Sequence, residues 1–226
     1  MADIVCIGAH PDDVEIGMGG TVASLVRRGA EVLILDLTDG EPTPHGTVER
    51  RAAEAAESAA VLGCRRMTLD LPNRYLFDTV EARQEVAAVL RVERPGLVFA
   101  PFPEDAHPDH IAASAIAQAA RFYAKLTKSD LPGDPHYPDR LYHYMAVHAR
   151  MVREPSFLAD ITAELPRKLE ALACYRSQFA DNPANSRLPV WVEQTARTWG
   201  AFARTEAAEP FFTSEVPVVA SVLDLR

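Results

Sequence analysis

Through its first two thirds the chain alternates short β-branched or apolar runs with longer helical patterns, and nothing else in the sequence constrains the fold as strongly. Strands that follow one another through helices are joined by right-handed crossovers. The outcome is a mainly parallel sheet covered by helices on both faces. The spacing predicts strands at 3–8, 31–37, 67–71 and 96–101, with helices at 18–29, 48–62, 79–93 and 108–125. Thr47 is placed to cap the second helix and Gly63 to end it. Residues 127–140, rich in Pro, Asp and Gly, read as a loop excursion. Beyond them lie a strand at 141–147, helices at 164–180 and 190–204, and an extended, mostly apolar tail at 210–225. The expectation is a single domain over 1–226 with a Rossmann-like α/β/α architecture. Its core spans about 1–125, and 141–226 forms a small C-terminal elaboration.

A chain of 226 residues can bury a core without a disulfide or a structural metal. The net charge of −9, from 23 basic and 32 acidic residues, leaves no domain-wide basic footprint for nucleic acid and no polybasic membrane patch. No stretch approaches the ~20 apolar residues of a membrane span. The first apolar run, Ile4 to Ala9, is short and lacks a basic flank, so it reads as a buried strand rather than a signal peptide. Cys6, Cys64 and Cys174 are far apart and form no C-x-x-C pair. They are expected to be reduced packing residues of a cytoplasmic protein.

The chemistry concentrates in two places. Immediately after the first strand stands Ala9-His10-Pro11-Asp12-Asp13-Val14-Glu15-Ile16-Gly17. A dinucleotide-binding turn would carry G-x-G-x-x-G there, whereas Gly17, Gly19 and Gly20 come too late. His10, Asp12 and Asp13 offer imidazole and carboxylate donors suited to Zn²⁺, which needs three protein ligands at a catalytic site. The second cluster, Glu104-Asp105-Ala106-His107-Pro108-Asp109-His110, follows the fourth strand. Taken alone, the first could be helix capping and the second a polar turn. Both fall at the carboxyl ends of strands, where open α/β sheets bind ligands, and this favours a shared metal site. His45 lies in a loop, His136 in the excursion, and His143 and His148 flank a late strand, so these are poorer candidates.

With A-H-P-D-D after the first strand and H-P-D-H after the fourth, the chain resembles the LmbE-like, or PIG-L, family of zinc amidohydrolases over nearly its whole length. Leu37 to Glu41 resembles the family's T-x-G-E loop, and Arg51, Glu54 and Leu62-Gly63 its R-x-x-E…L-G helix. Tyr175 to Phe179 and Glu209 to Phe212 are similar to a narrower group, the bacillithiol-biosynthesis deacetylases acting on N-acetylglucosaminyl malate. The resemblance implies one zinc per chain on His10, Asp13 and His110, with Asp12 as general base. It also implies His107 as oxyanion donor, with Asp109 holding its tautomer, and Arg51 as the substrate-binding residue. For Arg51 the structural alternative is an i,i+3 pair with Glu54. Glu15 is either a partner of a ligating histidine or a helix-start acid. The implied activity is deacetylation of an N-acetylglucosaminyl compound, with N-acetylglucosaminyl malate of bacillithiol biosynthesis as the favoured substrate, by a homo-oligomer, a trimer or hexamer. Alternatives are a chito-oligosaccharide, mycothiol-precursor or thiol S-conjugate substrate, or a non-catalytic metal- or nucleotide-binding module. The presence of Asp12, His107 and Asp109 beside the ligands argues against mere binding.

Overall fold

Every residue of β1 (Ile4–Gly8) is buried, and its side chains divide between two apolar layers. Ile4 and Cys6 join Val32, Ile34 and Phe99 on one face, while Val5 and Ile7 join Leu33, Leu35, Val98 and Ala100 on the other. Burial on both faces marks a central parallel strand. The computed structural model describes residues 1–146, 153–216, 218 and 221. In it β1 lies between β2 (Val32–Asp36) and β4 (Leu97–Pro101), parallel to both. Two further parallel strands, β3 (Arg65–Thr68) and β5 (Arg140–Tyr144), flank these on the outside. The C-terminal part extends the sheet through β7 (Ala208–Phe212), antiparallel to β5, and then β6 (Phe157–Asp160), antiparallel to β7. The strand order is β3-β2-β1-β4-β5-β7-β6.

Three helices, α1 (Asp13–Arg27), α2 (Val48–Leu62) and α5 (Leu165–Ala173), contribute Val14, Met18, Val22, Leu62 and Ala171 to the Cys6 face. The opposite face is covered by α3 (Val80–Glu93) and α4 (Pro108–Ala124) through Val86, Leu90, Ala113 and Ile116. The last helix, α6 (Leu188–Ala203), packs Leu188 and Val192 near Leu172 and Tyr175. This is the three-layer α/β/α arrangement expected. Thr47 caps α2 by accepting from the Arg50 N–H at 3.2 Å, and Gly63 ends it at φ +76°. The three cysteines are free. No helix among the described residues is long and apolar enough to cross a membrane.

The differences have physical causes. The first helix begins at Asp13, well before residue 18, because Gly17, Gly19 and Gly20 serve close packing rather than a loop. A Cβ at Gly17 would lie 2.2 Å from Tyr144 Cδ2, and one at Gly20 2.7 Å from Ile161 Cδ1. The helix is broken at Met18 (φ −148°, ψ 21°). Lys168 Nζ donates to the Ile16 carbonyl at 2.8 Å below the break. Above it, the Glu209 carboxylate accepts from the Gly20 N–H (3.0 Å), the Thr21 N–H (2.7 Å) and the Thr21 hydroxyl (2.6 Å). Lys168 and Glu209 also pair with each other at 2.5 Å, both side chains 2% exposed. Strand β3 lies slightly earlier than expected, and the 164–180 helix is helical only through Ala173. The short β6 was not expected. Val147, His148 and most of the tail beyond 216 lie outside the described residues.

Candidate metal and catalytic site

The sheet's strand order reverses between β1 and β4, since the chain leaves β1 toward β2 and β4 toward β5. Such a switch point opens a crevice at the carboxyl ends of the two strands. His10 to Asp13 leave β1 into that crevice, and Asp105 to His110 leave β4 into it. The ring centroids of His10 and His107 lie 4.8 Å apart, those of His10 and His110 5.4 Å, and those of His107 and His110 4.6 Å. The two clusters predicted to meet do meet.

At the start of α1, Asp12 occupies the N-cap position but makes no side-chain cap bond, and its φ is +112°. A non-glycine residue in that region is strained unless its surroundings hold it there. Here the Asp12 carboxylate is turned onto Arg51, with Nη2 to Oδ2 at 3.0 Å, and the same Nη2 donates to the Pro11 carbonyl. Asp13 faces the histidines instead. Its Oδ2 accepts from the His10 N–H at 2.8 Å and lies 3.4 Å from His10 Nδ1, while its Oδ1 lies 3.1 Å from His110 Nε2. Simple capping does not account for either acid.

His107 and His110 share one motif yet sit in opposite hydrogen-bonding environments. His107 is the N-cap of α4, and its Nδ1 accepts from the Asp109 N–H at 3.2 Å. A neutral imidazole that accepts at Nδ1 carries its proton at Nε2 and is a donor there. His110 Nδ1 instead faces Asp105 Oδ2 at 2.9 Å. An ionised carboxylate only accepts, so this nitrogen holds the proton, and neutral His110 presents a lone pair at Nε2. Among the described residues, two sets of three have donor atoms within 4.8 Å of one another: His10, Asp13 and His110, and His10, His107 and Asp109. The hydrogen bonding of the two rings favours the first set as ligands, because His110 can bind a cation through Nε2 without surrendering its other bond. Two imidazoles and a carboxylate fit a zinc-type ion.

Charge follows the same division. Burial disfavours the imidazolium at His10, but hydrogen bonds to Asp109 and Asp13 outweigh it and lift the pKa to about 9. Burial also opposes charge on His110, and Asp13 with Asp105 overrides it to reach about 10. His107 moves the other way, to about 4, through burial and then its positive neighbours His110 and His10. It is a neutral donor at pH 7. Burial pushes the Asp12 carboxyl up to about 7 against the opposing pull of Arg51.

Several residues take places other than those anticipated. The Asp109 carboxylate accepts from the Arg74 N–H at 2.7 Å and lies 3.2 Å from His10 Nε2, so it is the backbone of Asp109 that fixes the tautomer of His107. Among the described residues, Glu15 partners no histidine. Its Oε1 accepts from Ser58 (2.6 Å), Arg66 (2.6 Å) and Tyr175 (2.8 Å), and Arg66 also binds Asp36 through two nitrogens. Arg51 is not paired to Glu54, which binds Arg50 and the Ser177 amide and hydroxyl. Arg51 is 3% exposed, and its Nε and Nη1 have no hydrogen-bond partner among the described residues. His136 Nε2 and His143 Nδ1 donate to the carbonyls of Pro95 and Pro101 respectively, and His45 is exposed. Asp105, Arg66, Asp36 and Arg74 were missed. The sequence carries a signal only for Asp105, an acid within the second cluster.

Residues 5–121 match the family described as PIG-L, GlcNAc-PI de-N-acetylase. The chain belongs to the PIG-L family. It is 34% identical over 220 residues to the diacetylchitobiose deacetylase of Thermococcus kodakarensis, a match covering 90% of this chain and 76% of that protein. A 1D-myo-inositol 2-acetamido-2-deoxy-alpha-D-glucopyranoside deacetylase of Saccharopolyspora erythraea is 29% identical, covering 77% of this chain and 82% of its own. Among solved structures, the conserved protein TT1542 from Thermus thermophilus superposes with a TM-score of 0.90 at 39% identity, covering 98% of each chain. The family match spans both clusters of the crevice.

Proposed function

We propose that this PIG-L family member is a metal-dependent N-deacetylase that hydrolyses the acetamide of an N-acetylglucosaminyl compound. The observation that carries the reading is the opposed hydrogen bonding of His107 and His110 at one crevice, which supplies a ligand and a proton donor side by side. His10, Asp13 and His110 would hold the ion, one zinc per chain. When bound, it supplies Lewis acidity toward the amide carbonyl and lowers the pKa of the attacking water. Asp12 takes a proton from that water and returns it to the leaving amine nitrogen. His107 donates from Nε2 to the carbonyl oxygen as it gains charge. Asp109 anchors the turn between them through Arg74 and His10.

Arg51 keeps two donors for a polar or anionic group of the substrate, and the Tyr175 ring lies 5.5 Å from its guanidinium carbon. The segments that suggest the malate-specific group have structural work here. Tyr175 and Ser177 bind Glu15 and Glu54, and Glu209 holds the Gly20 and Thr21 amides, joined across the break in α1 by Lys168. They speak to the fold rather than to the aglycone, so the substrate is taken at the level of the N-acetylglucosaminide. The test is acetate release from N,N'-diacetylchitobiose, the inositol glycoside and N-acetylglucosaminyl malate, each with and without a chelator. Chelator-sensitive release from at least one is expected; a metal-replete protein inert on all three overturns the reading. Light scattering on the same preparation tests the homo-oligomer that the family resemblance implies.

A further inference from the structure

The Asp105 carboxylate performs two tasks at once. Its Oδ2 lies 2.9 Å from His110 Nδ1, and its Oδ1 accepts from the His107 N–H at 2.9 Å. The side chains of Asp105 and His110 are each 1% exposed. One buried acid therefore ties the ring of the ligand histidine to the backbone of the donor histidine. We propose that Asp105 is the positioning residue that assigns His110 to the metal and His107 to proton donation. The inference rests on the metal-site reading above and deepens it.

Neutral His110 has a single ring proton, and it must reside on Nδ1 for Nε2 to bind a cation. A carboxylate facing Nδ1 enforces that choice and fixes the rotation of the ring toward Asp13. Partners of this kind, one bond behind a ligand, typically change metal affinity 10–100-fold when removed. Oδ1 of Asp105 takes the His107 N–H and Oδ2 faces His110 Nδ1, one oxygen to each. An asparagine at the same position puts its oxygen at only one of the two carboxylate-oxygen positions, so it presents an acceptor to the His107 amide or to the His110 ring and its NH₂ group to the other. If the oxygen stays with the amide, the NH₂ group meets His110 Nδ1 and rewards the tautomer that cannot bind through Nε2.

The experiment uses the full chain, stripped of metal and titrated with zinc against a chromogenic chelator, for the wild type, D105N and D105A. Expected is one zinc per chain in all three, with affinity lowered 10–100-fold in D105N and further in D105A, while the metal-free proteins keep their melting temperatures within a few degrees of wild type. Affinity within twofold of wild type in a folded D105N overturns the proposal. A measurement on the wild type alone guards against variants that do not fold. In the zinc-loaded protein the His110 Nδ1 proton should be visible by NMR, slow to exchange and hydrogen-bonded; its absence overturns the proposal equally. A wild type that binds no zinc at all refutes the metal-site reading itself, which separates the two failures.

Discussion

His107 and His110 illustrate how far single residues can be read from sequence. Their spacing and place after β4 made them legible as site residues, as His10 and Asp13 were after β1. What separates them is a backbone amide for one and a carboxylate for the other, and such partners have no sequence periodicity. Asp105 looks like any acid before a helix, and Arg66 reaches the site's floor from an edge strand. Asp12→Asn should lower kcat by about 10²–10⁴ with zinc content unchanged, checked by acetate release and metal analysis on one sample; His107→Ala should cost about 10²–10³. His10 and His110, raised to about 9 and 10, hold their protons at neutral pH, and a cation must displace them. Zinc affinity should therefore rise from pH 6 to 8, by about tenfold per pH unit for each proton displaced. Calorimetry in buffers of differing ionisation enthalpy counts those protons directly.

At the level of elements, α2 was legible because Thr47 and Gly63 announce both ends, while α3, expected over 79–93, is capped by Thr79 accepting from the Ala82 N–H. The start of α1 was not, because its glycines carry two opposite meanings. They are poor helix formers in isolation, yet Gly17 and Gly20 admit Tyr144 and Ile161 against the helix. Gly17→Ala should thus destabilise the protein by roughly 1–3 kcal/mol through overpacking, despite the better intrinsic helix propensity of alanine, as measured by urea unfolding. The antiparallel strands were hidden for another reason. β6 is four residues long, and Pro210 within β7 argues against a strand. The proline lies beyond the stretch of β7 registered with β5, where only Phe211 and Phe212 are paired.

For the whole molecule, the acidic balance acquires a location. Asp12, Asp13, Glu15, Asp36, Asp105 and Asp109 all lie in or under the crevice, answered on the floor by Arg66 and at its edge by Arg51. A divalent ion is the natural complement of that surplus. Ion binding to the folded state alone should raise its stability by about 2.7 kcal/mol when free zinc is a hundred times Kd, a shift that a chelator reverses in a melting experiment. The overall architecture was the most legible level of all, since strand–helix alternation and crossover handedness leave few arrangements open.

The Lys168–Glu209 bridge also orders events in time. Glu209 and Thr21 are 188 residues apart, so the helix that presents Asp13 is emitted by the ribosome long before the carboxylate that, with Lys168, spans its break. All three candidate ligands have been synthesised by His110, but the first helix is not clasped until β7 emerges. A nascent chain stopped between those points carries the right residues on an unfinished support. It should capture metal poorly until β7 is in place and the helix is clasped.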